Sequence, residues 1–381
     1  MKKKLIRITT VAESLSILLK GQLGFMNAYY DVVGVSTNSK FLDQVGVNEK
    51  VKTIPVLMTR KITPFQDLKS LFVMYKVLKS EKPFIVHTHT PKAGLLGMIA
   101  SYFVRIPNRL HTVAGLPVME AKGFKRIVLL FVEKITYMFA TKVYPNSAGL
   151  KEFILENNLT KENKIEVIGN GSSNGIDTSH FDKSLFKDSD LNKLKHDIGV
   201  KANDFVFLFV GRLVKDKGIN ELVSSFSEMA KTNNNLKLVL VGGFEHDLDP
   251  LLPFTLEEIK NNNQIISVGF KEDVRSYFCI SNVFVFPSYR EGFPNVVLQA
   301  SSMELMSIVT DINGANEIIT HKENGLIIPV KNQDKLKEAM LELYTNNANY
   351  QSKKIQARIN IIEKYEQKFI WQELLKTYNK L

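Results

Sequence analysis

The sequence predicts an α/β protein of two Rossmann-like, doubly wound parallel-sheet domains in tandem, and three observations carry the prediction. Short β-branched or aromatic runs alternate with helix-length segments, as they do where helices cover a parallel sheet. The alternation breaks once, at GNGSSNG (169–175), and then restarts. The 381 residues exceed one comfortable core and suit two domains of ordinary size.

In the first half, strands are read at residues 4–9, 32–36, 52–55, 85–88, 109–113, 142–145 and 165–168. The seven turn-formers that follow cannot be core strand or helix, and a polar, charged stretch runs on to about residue 202. The reading is therefore a first domain over 1–175 and a linker over 176–202. Strands at 205–210, 237–241, 265–268, 283–287, 307–310 and 325–328 make a second domain over 203–360. Residues from about 333 onward are helix-patterned, and a final helix over 361–381 is expected to pack back toward the first domain, anchored by Trp371, the sole tryptophan.

No run of about 18 uncharged apolar residues is present, so no transmembrane span is expected. The basic start, MKKKLIRITT, fits a first strand better than a secretion signal, because Arg7 and Glu13 interrupt the apolar stretch. A single cysteine, Cys279, excludes an intramolecular disulfide framework and reads as a core thiol in a reducing, cytoplasmic compartment. Of the net charge of +11, residues 1–175 hold 25 Lys and Arg against 12 Asp and Glu, leaving 25 against 27 for the remainder. The basic half attracts polyanions, nucleic acid or anionic lipid. No aromatic-basic recognition motif accompanies the charge, so nucleic acid is not expected as a partner.

In open parallel sheets ligands bind beyond the carboxyl ends of strands, where loops and helix N-termini supply unpaired N–H groups. Four loops there hold suitable residues. FVGRLVKDKG (209–218) runs a buried strand into Gly211, which lets backbone approach a ligand, and offers the cations Arg212 and Lys217. It is not a Walker pattern, which disfavours a P-loop ATPase. PSYREGFPNVVLQA (287–300) presents Glu291 and Gly292, then Pro294 at the first turn of a helix whose amides at Asn295, Val296 and Val297 suit a diphosphate. Gln299 lies a little over one turn inside that helix. LHTVAGLP (110–117) sets His111 near a strand end, and LKGQL (19–23) makes a turn at Gly21 that enters a helix. Taken singly, each has an ordinary alternative: a solvated Lys/Arg turn, or a structural histidine. His87 and His89 in HTHTPKAG (87–94) are expected on opposite faces of a strand with no carboxylate or cysteine beside them, and no metal site is expected.

Together these segments, with NGID (174–177), resemble the retaining glycosyltransferases of family 4, bacterial surface-polysaccharide enzymes whose two Rossmann-like domains face a cleft in the GT-B fold. The resemblance covers nearly the whole chain. It implies that Arg212 and Lys217 hold the donor diphosphate, that Glu291 with the amides of Gly292 and Phe293 grips the donor sugar, and that His111 contacts the sugar from the other domain. Gly21 would leave room for the diphosphate. It further implies a nucleotide-sugar donor, with a UDP-sugar favoured, and a lipid-linked saccharide acceptor used in capsule, O-antigen or similar polymer assembly. Transfer would retain anomeric configuration without cofactor or metal, at the inner face of the membrane. Peripheral contact with anionic lipid is expected through the segment KGFKRIVLLFVEK (122–134), which joins cations to an apolar run too short to span a bilayer.

The sequence also departs from the family. Position 299, where a second glutamate is usual, is Gln, and Glu304 and Met306 stand where glycine and proline are usual. Two other functions stay open at this point: a nucleotide-sugar epimerase of the same fold, and a degenerate transferase retained as a binding partner.

Overall fold

A computed structural model describes residues 2–61, 63–119, 121–245 and 249–381. The chain divides into two compact units, Met1–Gly175 with Gln367–Leu381, and Ile176–Glu366.

The first unit winds β1 (Lys4–Ile8), α1 (Gln22–Asn27), β2 (Asp31–Ser36), α2 (Lys40–Glu49), β3 (Lys52–Pro55), α3 (Pro64–Glu81), β4 (Ile85–His89), α4 (Pro91–Phe103), β5 (Asn108–Val113), α5 (Gly123–Phe139), β6 (Lys142–Pro145) and α6 (Ala148–Glu156). Its six strands pair in parallel in the order β3-β2-β1-β4-β5-β6. Strand side chains alternate between faces, so β1 feeds Ile6 and Ile8 into one core cluster and Leu5 into the other.

The second unit contains α7 (Asp188–Asp197), β7 (Phe205–Val210), α8 (Ile219–Ala230), β8 (Leu236–Val241), α9 (Pro253–Asn261), β9 (Ile265–Gly269), α10 (Arg275–Cys279), β10 (Val283–Phe286), α11 (Asn295–Ser302), β11 (Met306–Thr310), α12 (Ala315–Ile318), β12 (Gly325–Ile328), α13 (Gln333–Thr345) and α14 (Gln351–Tyr365). The order β12-β11-β10-β7-β8-β9 repeats the first sheet's topology. β7, FVFLFV, is apolar throughout because both of its faces are covered. The last helix, α15 (Gln367–Asn379), belongs to the first unit, where Leu374 and Tyr378 join its core.

Three expectations need correction. Residues 165–168 do not form a seventh strand: only Ile165 bridges, to Val143, before the chain turns at Gly169 and Gly171. The stretch 176–202 is not a bare linker. It carries α7, whose acidic first turn and basic last turn suit the helix dipole, and it gives Ile176 and Val200 to the second core. His87 and His89 share one face, their rings stacked 4.5 Å apart, because residues two apart in a strand point the same way.

Candidate functional site

In both sheets the strand order reverses beside the first strand, which puts the second unit's switch point between β7 and β10. Crevices at such points, beyond the carboxyl ends, are where ligands bind. The loops after β7 and β10 are the two that carry the predicted cations and Glu291.

Two close approaches let these loops nest. Gly218, in the left-handed region at φ +70°, lies so near that a Cβ would stand 2.1 Å from the carbonyl oxygen of Pro287. At Gly314, φ +73°, a Cβ would meet the Gly292 oxygen and the Phe293 Cα at 2.7 Å. Only glycine fits either position. The 3-10 turn Lys215–Lys217 ends on Gly218 and swings Lys217 over the Phe286 ring, 5.7 Å from its centroid.

There Lys217 Nζ donates to Glu291 Oε1, and the side chains are 16% and 21% exposed. Ser288 Oγ also donates to Glu291 Oε1, at 3.3 Å, while Thr310 Oγ1 donates to the Ser288 carbonyl. Arg212, 56% exposed, pairs with Glu245 from the loop after β8. Each predicted cation is thus held by one carboxylate. Arg290 pairs with Asp216 at 3.1 Å, and Tyr289 Oη donates to Glu221 at 2.6 Å; burial first, then that bond, raises the Tyr289 phenol above its usual range.

Gly211 follows β7 directly and its N–H donates to Val241. Gly292, Phe293 and Pro294 are buried. The Phe293 ring packs on Tyr365, 5.4 Å between centroids, so only its backbone is left to face a ligand. Pro294 caps α11 from outside instead of opening its first turn, and its carbonyl takes the Val297 amide. Asn295 and Val296 open the helix, and Gln299 is partly exposed with no side-chain hydrogen bond to a described protein group.

The structure therefore gathers Gly211, Arg212, Lys217, Glu291 and the start of α11 around one switch point. His111 and Gly21 lie in the first unit. His111 is the fourth of six residues in β5 and 2% exposed, with Nδ1 at 2.8 Å from Thr88 Oγ1 and its ring against Gly94. Burial lowers its pKa to about 4. The ring is buried, and the first residue beyond the strand is Ala114. At Gly21 the space a Cβ would need is filled by the Trp371 indole, 2.6 Å away, and the Gly21 and Gly24 amides donate to the Glu49 carboxylate at 2.6 and 2.7 Å. Trp371 in turn donates to Asn174 Oδ1 at 2.6 Å.

Sequence reasoning missed Glu245, Asp216 and Thr310. The spacing between strands supplied no signal for their partners, since Glu245 meets Arg212 across 33 residues. Among the described residues there is no group of three His, Cys, Asp or Glu that could hold a metal ion.

Residues 191–360 match the family model described as glycosyl transferases group 1, and residues 31–171 match the glycosyl transferase 4-like domain. The chain is 37% identical over 379 residues to the capsular polysaccharide biosynthesis glycosyltransferase CapM of Staphylococcus aureus, covering 99% of this chain and 97% of that one. It is 33% identical to the UDP-Gal:α-D-GlcNAc-diphosphoundecaprenol α-1,3-galactosyltransferase of Escherichia coli, covering 82% and 81% of the two chains. In fold it is similar to the Anabaena protein HepE crystallised with UDP-glucose, with a TM-score of 0.83 at 18% identity and the whole of both chains covered. A glycosyltransferase from Rickettsia africae superposes with a TM-score of 0.81 at 20% identity, over 100% and 98% of the chains.

Proposed function

Because the chain belongs to the glycosyl transferases group 1 family and is a glycosyltransferase, we propose that it moves a sugar from a UDP-sugar onto a lipid-linked saccharide during capsule or related polymer assembly, with retention of configuration. The acceptor class is supported by the undecaprenol-diphosphate substrates named for two relatives, from Escherichia coli and Campylobacter jejuni.

The observation that carries the site is the Lys217–Glu291 pair at the switch point, with Arg212 on the neighbouring loop. In the proposed reaction the bond between the anomeric carbon and the donor diphosphate breaks, and the acceptor oxygen bonds to the same face of that carbon. The acceptor's proton passes to the departing phosphate. Lys217 and Arg212 turn from their carboxylates to the diphosphate, where fixed cations stabilise the charge that develops as it leaves. Glu291, released, accepts from the sugar's hydroxyls. His111 takes no part in this reading.

Membrane contact is part of the proposal. Among the described residues no helix is long and apolar enough to cross a membrane. α5 nonetheless exposes Phe124 (80%), Ile127, Phe131 and Met138 along one stripe, with Lys122, Lys125 and Lys134 exposed beside it. Such a stripe suits lying in a lipid interface. Incubating the protein with a panel of UDP-sugars and a diphospholipid-linked monosaccharide tests the proposal. An extended lipid-linked product supports it; donor isomerised without acceptor supports the epimerase reading instead.

A further inference from the structure

On the first unit's other face, β1 carries a buried arginine. Arg7 is fully buried, on the side of the sheet that meets α1 and α15. Its Nη1 donates to Tyr378 Oη at 3.0 Å, and its Nη2 donates to Gln22 Oε1 and lies 2.7 Å from His89 Nε2. No described carboxylate contacts it. A buried charge without a counter-charge is heavily penalised.

The directions of these bonds follow from chemistry. A guanidinium only donates. His89 Nε2 must therefore accept, which puts the ring proton on Nδ1. Tyr378, which accepts from Arg7, gives its own proton to His87 Nδ1 at 2.6 Å, and His87 Nε2–H then donates to Thr112 Oγ1 at 2.7 Å. Both histidines are neutral, held far below their usual range by burial and then by the Arg7 charge. Among the described residues, the atoms Arg7 Nε and His89 Nδ1 have no acceptor.

Both residues line one cavity of about 20 Å³, together with Gln22, Tyr144, Asn146 and Ser172. Among the described residues of its lining, Arg7 is the only charged one. Asn146 Oδ1 is unpaired there, and the Nδ2 contacts to Ala114 and Ser173 are long, at 3.5 and 3.4 Å. A single water needs roughly 10–15 Å³, so the space admits one monatomic body and excludes a phosphate or carboxylate group.

We infer that this cavity binds one halide-class anion, chloride under cellular conditions, against Arg7 Nε–H and His89 Nδ1–H. Water would fit the space but would leave the guanidinium charge uncompensated. The anion links the mouth of the first sheet to α1 and α15, and because it binds the folded chain it stabilises that state by mass action.

The test uses the full chain in sodium chloride, bromide or gluconate at equal ionic strength. The melting midpoint should rise with halide by roughly 3 °C per tenfold increase above the dissociation constant, and gluconate should not substitute. Arg7→Met should abolish the difference between chloride and gluconate. If that variant does not fold, crystals of the wild-type protein in sodium bromide decide the matter, with an anomalous peak expected between Arg7 and His89. Equal midpoints in chloride and gluconate, or an ordered water with no anomalous signal in the cavity, overturn the inference.

Discussion

Lys217 and Glu291 are joined as an ion pair although 74 residues separate them, because the β7 and β10 strands are neighbours and Gly218 lets one loop settle on the other. Arg212 and Glu245 make the equivalent pair between the β7 and β8 loops. Each cation is thereby held by a carboxylate near a strand end. A diphosphate has to compete with both carboxylates.

Lys217→Ala and Arg212→Ala should each lower turnover at least tenfold while the protein stays folded. A cation on a leaving diphosphate contributes on the order of a few kcal/mol, and about 1.4 kcal/mol is a factor of ten. Steady-state kinetics beside a far-UV melting curve measure both parts. Wild-type rates in both variants would place the chemistry elsewhere.

Glu304 sits at φ +58°, between α11 and β11, where a side chain costs about 1–2 kcal/mol and glycine costs nothing. This is a physical reason for the glycine usual in the resembling family. Its carboxylate pairs with Lys183, a largely exposed partner of small worth. Glu304→Gly and Glu304→Ala both remove the pair, but only glycine relieves the backbone. Urea unfolding should find the glycine variant more stable than the alanine variant by about 1 kcal/mol; the reverse order would refute backbone strain.

Much of this was legible because parallel strands buried on both faces are written as apolar runs, FVFLFV being the plainest. The loops at 209–218 and 287–300 were legible because glycine, cations and a carboxylate after such a run have few structural uses. The rest depended on contacts that spacing does not encode. His111 looked like a strand-end residue, but β5 continues two residues further and turns its ring into the core. Gly21 looked like room for a ligand, but the room belongs to Trp371, 350 residues away. Polar residues 176–202 looked like a linker because a surface helix such as α7 buries nothing fully.

Exchanging Lys122, Lys125 and Lys134 for glutamate should release the protein from anionic phosphatidylglycerol vesicles. All three are exposed, whereas Arg126 donates to the Val118 carbonyl at 3.0 Å and is better left intact. Each lysine near an anionic surface is worth about 1 kcal/mol, so charge reversal of three should cost at least a hundredfold in partitioning. Unchanged co-sedimentation would sink the membrane reading of α5.

Glu133, buried on the inner side of the same helix, has its pKa raised by burial to about 7. The folded chain keeps this proton while the unfolded chain releases it near the ordinary carboxyl value of 4.5. Its effect on stability is therefore absent below about pH 4.5, grows unfavourably as pH rises to 7, and is constant above. Glu133→Gln should raise unfolding free energy at pH 8 by on the order of 3 kcal/mol, with little change at pH 4. Equal gains at both values would mean that ionisation is not the cause.

Gln299 stands on α11 a little more than one turn inside the helix, where the resembling family has glutamate for the donor's ribose. A carboxylate there accepts from two hydroxyls, and charge-assisted bonds are about twice as strong as neutral ones. The amide keeps one acceptor and turns the other terminus into a donor, which a hydroxyl can still satisfy. The difference is one hydrogen bond, on the order of 1 kcal/mol. Since no described protein group holds the Gln299 amide, a change at this position should act on the ligand and not on the fold. Gln299→Glu should therefore lower the Michaelis constant for donor or leave it unchanged, with turnover much the same. Gln299→Leu should raise it several-fold, because the ribose then has no polar partner at this position. Should Gln299→Glu abolish activity while the melting midpoint holds, the site is built around the amide, and the ribose contact does not lie at position 299.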